Sequence, residues 1–124
     1  MRFILVASTL AIVLTATPGI SEPSDESNNM AGLGVQTCEQ FARDDAENPR
    51  IEDSYFAWAQ GYMTGLNVAR TLHKLSPKNL NSWTKEDQEA FVHNYCDQHP
   101  VAKYAEAAFT LFHALKQSGS QPQN

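Results

Sequence analysis

Basic residues are few and scattered: nine lysines and arginines stand against fourteen aspartates and glutamates in 124 residues, a formal charge of −5, and nowhere do they cluster. That argues against nucleic acid and anionic membrane surfaces as partners, because both need a concentrated positive field. No apolar run reaches the roughly 20 residues of a membrane-spanning helix, so stable membrane insertion is not expected. No stretch alternates with period two for long enough to suggest a strand. The chain also lacks a Gly-x-Ser-x-Gly elbow and a His-Glu-x-x-His pair, so neither a catalytic residue nor a cofactor is assigned.

Two cysteines, Cys38 and Cys96, are present, and the N-terminus gives them a context. Met1-Arg2 followed by the apolar stretch from Phe3 to Leu14 reads as an export signal, with small residues at Thr17, Gly19 and Ser21 offering cleavage positions. Residues 1–21 are therefore read as a signal peptide, and their removal takes Arg2 and moves the charge to near −6. The destination is the periplasm or the extracellular space. Two thiols without a third in an exported chain are expected to pair as one disulfide. Such a bond closes a loop of about 60 residues, which the loop-entropy model values at about 4 kcal/mol.

Residues 22–34 are rich in Ser, Asn, Glu, Asp and Gly and read as a flexible arm, and residues 117–124 as a disordered tail. Residues 35–116 are left as one small domain. Its period is helical throughout, which predicts an all-α fold, a small bundle of about four helices. Thr37 and Gln40 form a capping box for a helix from Cys38 to about Glu47. Asp53 or Ser54 caps a second helix to about Lys74, with Tyr55, Trp58, Ala59, Tyr62, Leu66 and Ala69 as its apolar stripe. Thr84 caps a third, carrying Phe91, Val92, Tyr95 and Cys96 inward and ending near His99. Pro100 suits the first position of a fourth, in which Val101, Tyr104, Ala105, Ala108, Leu111, Phe112 and Leu115 make a stripe.

Ligand-like spacing occurs once, in His93-x-x-Cys96-x-x-His99 with Asp97 beside it, and a disulfide at Cys96 removes its thiolate, so no metal is assigned. The acidic pairs Asp44-Asp45 and Glu52-Asp53 are read as helix-end residues explained by capping or solvation. More unusual is Gly61-Tyr62-Met63-Thr64-Gly65, because each glycine inside a helix costs about 1 kcal/mol against alanine. One reading is close approach of another helix backbone. The other is a protein-binding groove floored by Gly61 and Gly65 and walled by Trp58 and Tyr62. Four histidines, His73, His93, His99 and His113, add positive charge in acid, where self-repulsion could loosen a small bundle or a dimer.

The pairing of Thr37-Cys38-Glu39-Gln40-Phe41 with Tyr95-Cys96-Asp97-Gln98-His99-Pro100, in a short exported helical chain, resembles the HdeA/HdeB-type periplasmic acid-stress proteins of Gram-negative bacteria. The resemblance implies a single disulfide between Cys38 and Cys96, a homodimer at neutral pH, and opening in acid to hold unfolding proteins. Phe41, Trp58, Phe91 and Phe112 are then the surfaces expected to open. The Gly-Tyr-x-x-Gly segment is also similar to small disulfide-linked immunity proteins of type VI secretion systems, which bind and neutralise a toxin. The sequence thus points to a protein that works by binding other proteins, first as an acid-stress holdase and second as a specific binder. An enzyme ranks third.

Overall fold

Four segments whose apolar residues recur at three- and four-residue steps form four helices in the computed structural model, which describes residues 29–119. They are α1 (Cys38–Glu47), α2 (Ile51–Leu72), α3 (Lys85–Gln98) and α4 (Tyr104–Ala114), preceded by a 3-10 turn at Gly32–Val35. No strand occurs among the described residues, only two isolated backbone bridges. The expected signal peptide and most of the expected arm, residues 1–28, and the end of the expected tail, 120–124, lie outside the described residues.

The central element is α4. Tyr104, Ala105, Ala107, Ala108, Leu111 and Phe112 are all buried, so this helix is enclosed by the 3-10 turn, α2 and α3. Phe41, Tyr55 and Tyr104 meet one another at ring-centroid distances of 4.8 to 5.0 Å. Tilted and edge-on aromatic pairs of this kind add to the stabilisation from burial alone. Burial drives the phenol pKa of Tyr104 upward, with smaller contributions from Glu52 and Glu89, so it stays protonated in the core.

The disulfide joins Cys38 at the start of α1 to Cys96 in the last turn of α3. Thr37 and Thr84 cap through hydroxyls that accept from the amides of Gln40 and Asp87 at 3.1 Å. The expected capping box is not completed, because the Gln40 side chain bonds Asp44 and Arg43 instead of reaching back. Other helix ends differ from the sequence reading. α2 starts at Ile51, two residues before Asp53, because the turn at Asn48-Pro49-Arg50 leads straight into it, with the Ile51 amide donating to the Asn48 carbonyl. Within α2, Met63 is buried where Ala69 was expected, and Ala69 is exposed.

Pro100 does not begin α4. The Pro100 and Ala102 carbonyls accept from the amides of Glu39 and Cys38 at 2.9 and 2.8 Å, so this segment is a turn, closed by the Ala102 amide donating to the His99 carbonyl, and it caps α1. α4 therefore starts four residues later, with Glu106 accepting from the Lys103 amide, and Val101 is 84% exposed. Two free amides of one helix outweigh the local preference of one proline.

The arm and the tail are also shorter than the composition suggests. The Trp58 indole donates to the Ala31 carbonyl at 3.0 Å, Leu33 packs on the core, and Gly34 is buried against the Trp58 ring. At the other end, Gln117 bridges Lys78, and the Ser118 amide donates to the Pro77 carbonyl. Small polar sequences can be fixed by a large apolar neighbour far away in the chain, and composition alone does not register that neighbour.

Buried Gln88 holds the loop between α2 and α3. Its amide donates to the carbonyls of Leu80 and Trp83 and its carbonyl accepts from Gln60, which satisfies both ends of the side chain. Lys78 reaches from the same loop to the His113 and Leu115 carbonyls, a cation placed on the C-terminal end of α4.

Candidate functional site

α2 is 22 residues long, and its charged residues are confined to Glu52 and Asp53 in the first turn and Arg70 in the last. Ser54, Ala57, Gly61, Thr64, Gly65, Val68 and Leu72 lie between or beside them, and all seven are exposed. At 100° per residue, Gly61, Gly65, Val68 and Leu72 fall within an arc of about 40° to 60°, so they form one stripe. Val68 is 56% and Leu72 77% exposed, and Leu75, just past the helix, is also open to solvent. A solvent-facing helix surface ordinarily carries charge, and this one carries none from Ser54 to Val68.

The two glycines lie flat within that stripe. A methyl group built on either would meet nothing within 4 Å, so no other helix among the described residues comes close to them. This removes close packing inside the bundle as their reason. They leave shallow notches on a surface that continues into the apolar tips of Val68 and Leu72, with Thr64, Asn67 and Thr71 along one border.

The expected groove is not present in the form the sequence suggested. Trp58 and Tyr62 are half-buried and stack on each other, with ring centroids 5.2 Å apart and planes 14° from parallel. Trp58 is covered by Gly32 and Gly34, whose added Cβ atoms would fall 3.1 and 2.0 Å from the indole. Its ring is therefore engaged by the chain's own N-terminal segment. Burial raises the Tyr62 phenol pKa, and its ring lines a separate depression with Met30, Tyr95, Ala105 and Phe109. Gly61 and Gly65 belong to the open stripe, while Trp58 and Tyr62 belong to the packed side.

The aromatic surfaces that a holdase would expose are closed in this conformation. Phe41 and Phe112 are buried, and Phe91 is half-buried with its ring edge-on to Trp83 at 5.7 Å. Of the spaced ligand-like residues, Cys96 is in the disulfide and His99 rests on the Tyr95 ring at 4.5 Å. His93 points elsewhere, with Nε2 2.7 Å from Glu52 Oε1.

The acidic pairs do lie near helix ends, Glu52 and Asp53 in the first turn of α2, but Asp44, Glu52 and Asp53 also have side-chain partners on other helices. Asp44 and Asp45 lie near the C-terminal end of α1, where the helix dipole disfavours negative charge. Asp44 accepts from the Tyr55 hydroxyl and from Gln40, both at 2.6 Å, and these bonds hold its carboxyl below the usual range. Asp45, Glu52 and His93 converge from three different helices. No spacing in the sequence links them, since each comes from its own element, so only the packing of α1, α2 and α3 could reveal the cluster.

Among the described residues no helix is long and apolar enough to cross a membrane. No protein-family model matches the chain, and no curated protein or solved structure matches it.

Proposed function

We propose that this chain is an exported, disulfide-stabilised module that works by binding another protein through the exposed face of α2. The observation that carries this reading is the uncharged stripe of Gly61, Gly65, Val68 and Leu72, on the face of α2 that the other described residues leave open. From Ala57 to Leu72 it spans about 22 Å at 1.5 Å per residue, long enough to receive four turns of a partner's helix. Glycines allow a second helix to approach closely, and the exposed Val68 and Leu72 supply apolar area to bury. The disulfide fits an oxidising compartment, and it clamps α1 to α3 without taking part in chemistry.

A second reading, an acid-stress holdase, is supported by Asp44. Its carboxyl is stabilised in the charged form by Tyr55 and Gln40, so protonation weakens the tie between α1 and α2 and favours opening of the aromatic core. The two readings part in one experiment. The oxidised chain is used as bait in periplasmic extract at pH 7 and pH 3, beside a Val68→Asp variant. One partner captured at pH 7 and lost with Val68→Asp supports the α2 face. Many weakly held proteins at pH 3 only, retained by Val68→Asp, support the holdase and count against that face.

A further inference from the structure

Asp45 presents the one orphaned polar atom of its kind among the described residues. Its Oδ1 is shut off from solvent and has no hydrogen-bond partner. Leaving a buried carboxylate oxygen unpaired is costly, so such an atom calls for a ligand or a cation. No lysine or arginine forms an ion pair with Asp45 or Glu52 among the described residues. A carboxylate oxygen from each of these residues and a ring nitrogen of His93 lie within 4.8 Å of one another.

From this geometry we propose that Asp45, Glu52 and His93 form a divalent metal site, with Zn2+ the ion that fits the donors best. An imidazole nitrogen beside two carboxylates suits a borderline ion, whereas Ca2+ and Mg2+ prefer oxygen alone. Around a tetrahedral ion with bonds of about 2 Å, ligand atoms stand about 3.3 Å apart. The His93 Nε2 to Glu52 Oε1 separation of 2.7 Å then widens slightly as the ion replaces the shared proton, and the more distant Asp45 oxygen draws in. The side chains of His93 and Glu52 are 37% and 29% exposed, which leaves an entry path and room for water as a fourth ligand.

The surroundings hold the three side chains in place. The turn at Asn48-Pro49-Arg50 folds Glu52 back toward Asp45, and the Phe41 ring lies 4.9 Å from the His93 ring. The disulfide fixes α1 against α3, the helices that bring Asp45 and His93. Nothing in this site depends on the exposed stripe of α2, so the two proposals stand or fall separately.

The test is calorimetric titration of Zn2+ into the metal-stripped, oxidised full chain, with stoichiometry read by native mass spectrometry. The wild type is expected to take up one Zn2+ per chain. Asp45→Asn keeps the shape of the side chain and is expected to weaken binding at least about tenfold, the lower end of what even an outer-shell partner contributes, while the helical circular dichroism persists. His99→Ala is expected to bind as the wild type does. Should Asp45→Asn fail to fold, Glu52→Gln gives the same readout. No saturable uptake, or uptake unchanged by Asp45→Asn and Glu52→Gln, overturns the proposal.

Discussion

The Tyr55 hydroxyl donates to Asp44 Oδ2 at 2.6 Å, joining the first turns of α2 to the last turns of α1. This bond and the one from Gln40 lower the Asp44 pKa, while burial and the neighbouring carboxylate raise that of Tyr55. A carboxyl whose folded pKa is depressed contributes stability above its unfolded value of about 4, and that contribution disappears as the pH falls through the folded value. Tyr55→Phe removes one of the two hydrogen bonds to the carboxylate and leaves the ring. Its melting temperature is expected to lie below the wild type's at pH 7, with the gap narrowing below about pH 4. A gap that stays constant from pH 7 to pH 2 contradicts the assigned role of Asp44.

Gly34 provides a steric test of the N-terminal segment. A Cβ there would lie 2.0 Å from the Trp58 ring, so Gly34→Ala must push the 3-10 turn off α2 or displace the indole. Overpacking of this kind costs about 1 to 3 kcal/mol. Denaturant unfolding of Gly34→Ala is expected to show that loss, together with a shift in Trp58 fluorescence. Wild-type stability in the variant means that the segment does not pack on Trp58 in solution.

Removing the Cys38–Cys96 bond releases a constraint across 58 residues. The Cys38→Ser, Cys96→Ser double variant is expected to lose about 4 kcal/mol on the loop-entropy model. Domains of this size typically have total stabilities of about 5 to 15 kcal/mol, so urea unfolding should show a large fall in midpoint. A midpoint within experimental error of the oxidised wild type rules out a stabilising role.

Gly61 and Gly65 separate stability from binding. Because a methyl group meets nothing at either position, Gly61→Ala and Gly65→Ala are each expected to raise stability by about 0.5 to 1 kcal/mol. The same methyl groups stand in the way of a closely packed partner helix and should weaken its binding. Variants that lose stability show that the glycines serve the fold itself.

Where the sequence reading held, the signal was local. Thr37 and Thr84 cap through their own side chains within one turn, so the starts of α1 and α3 were legible. Pro100 misled because the amides of Cys38 and Glu39, some 60 residues earlier, claim the carbonyls of Pro100 and Ala102. The open face of α2 was half legible. The glycines marked α2 as unusual, but periodicity could not tell which side of the helix the bundle covers, and only the packed structure separates Gly61 and Gly65 from Trp58 and Tyr62. The convergence of Asp45, Glu52 and His93 left no trace in spacing.

The most direct test of the α2 face is site-specific photocrosslinking in a cell that exports the chain. A photoreactive side chain is placed at Val68, and at Glu39 and Asn94, which are exposed on α1 and α3. A discrete adduct from Val68, with none from Glu39 or Asn94, is the predicted result. Equal labelling from all three positions, or no adduct from Val68, contradicts the account.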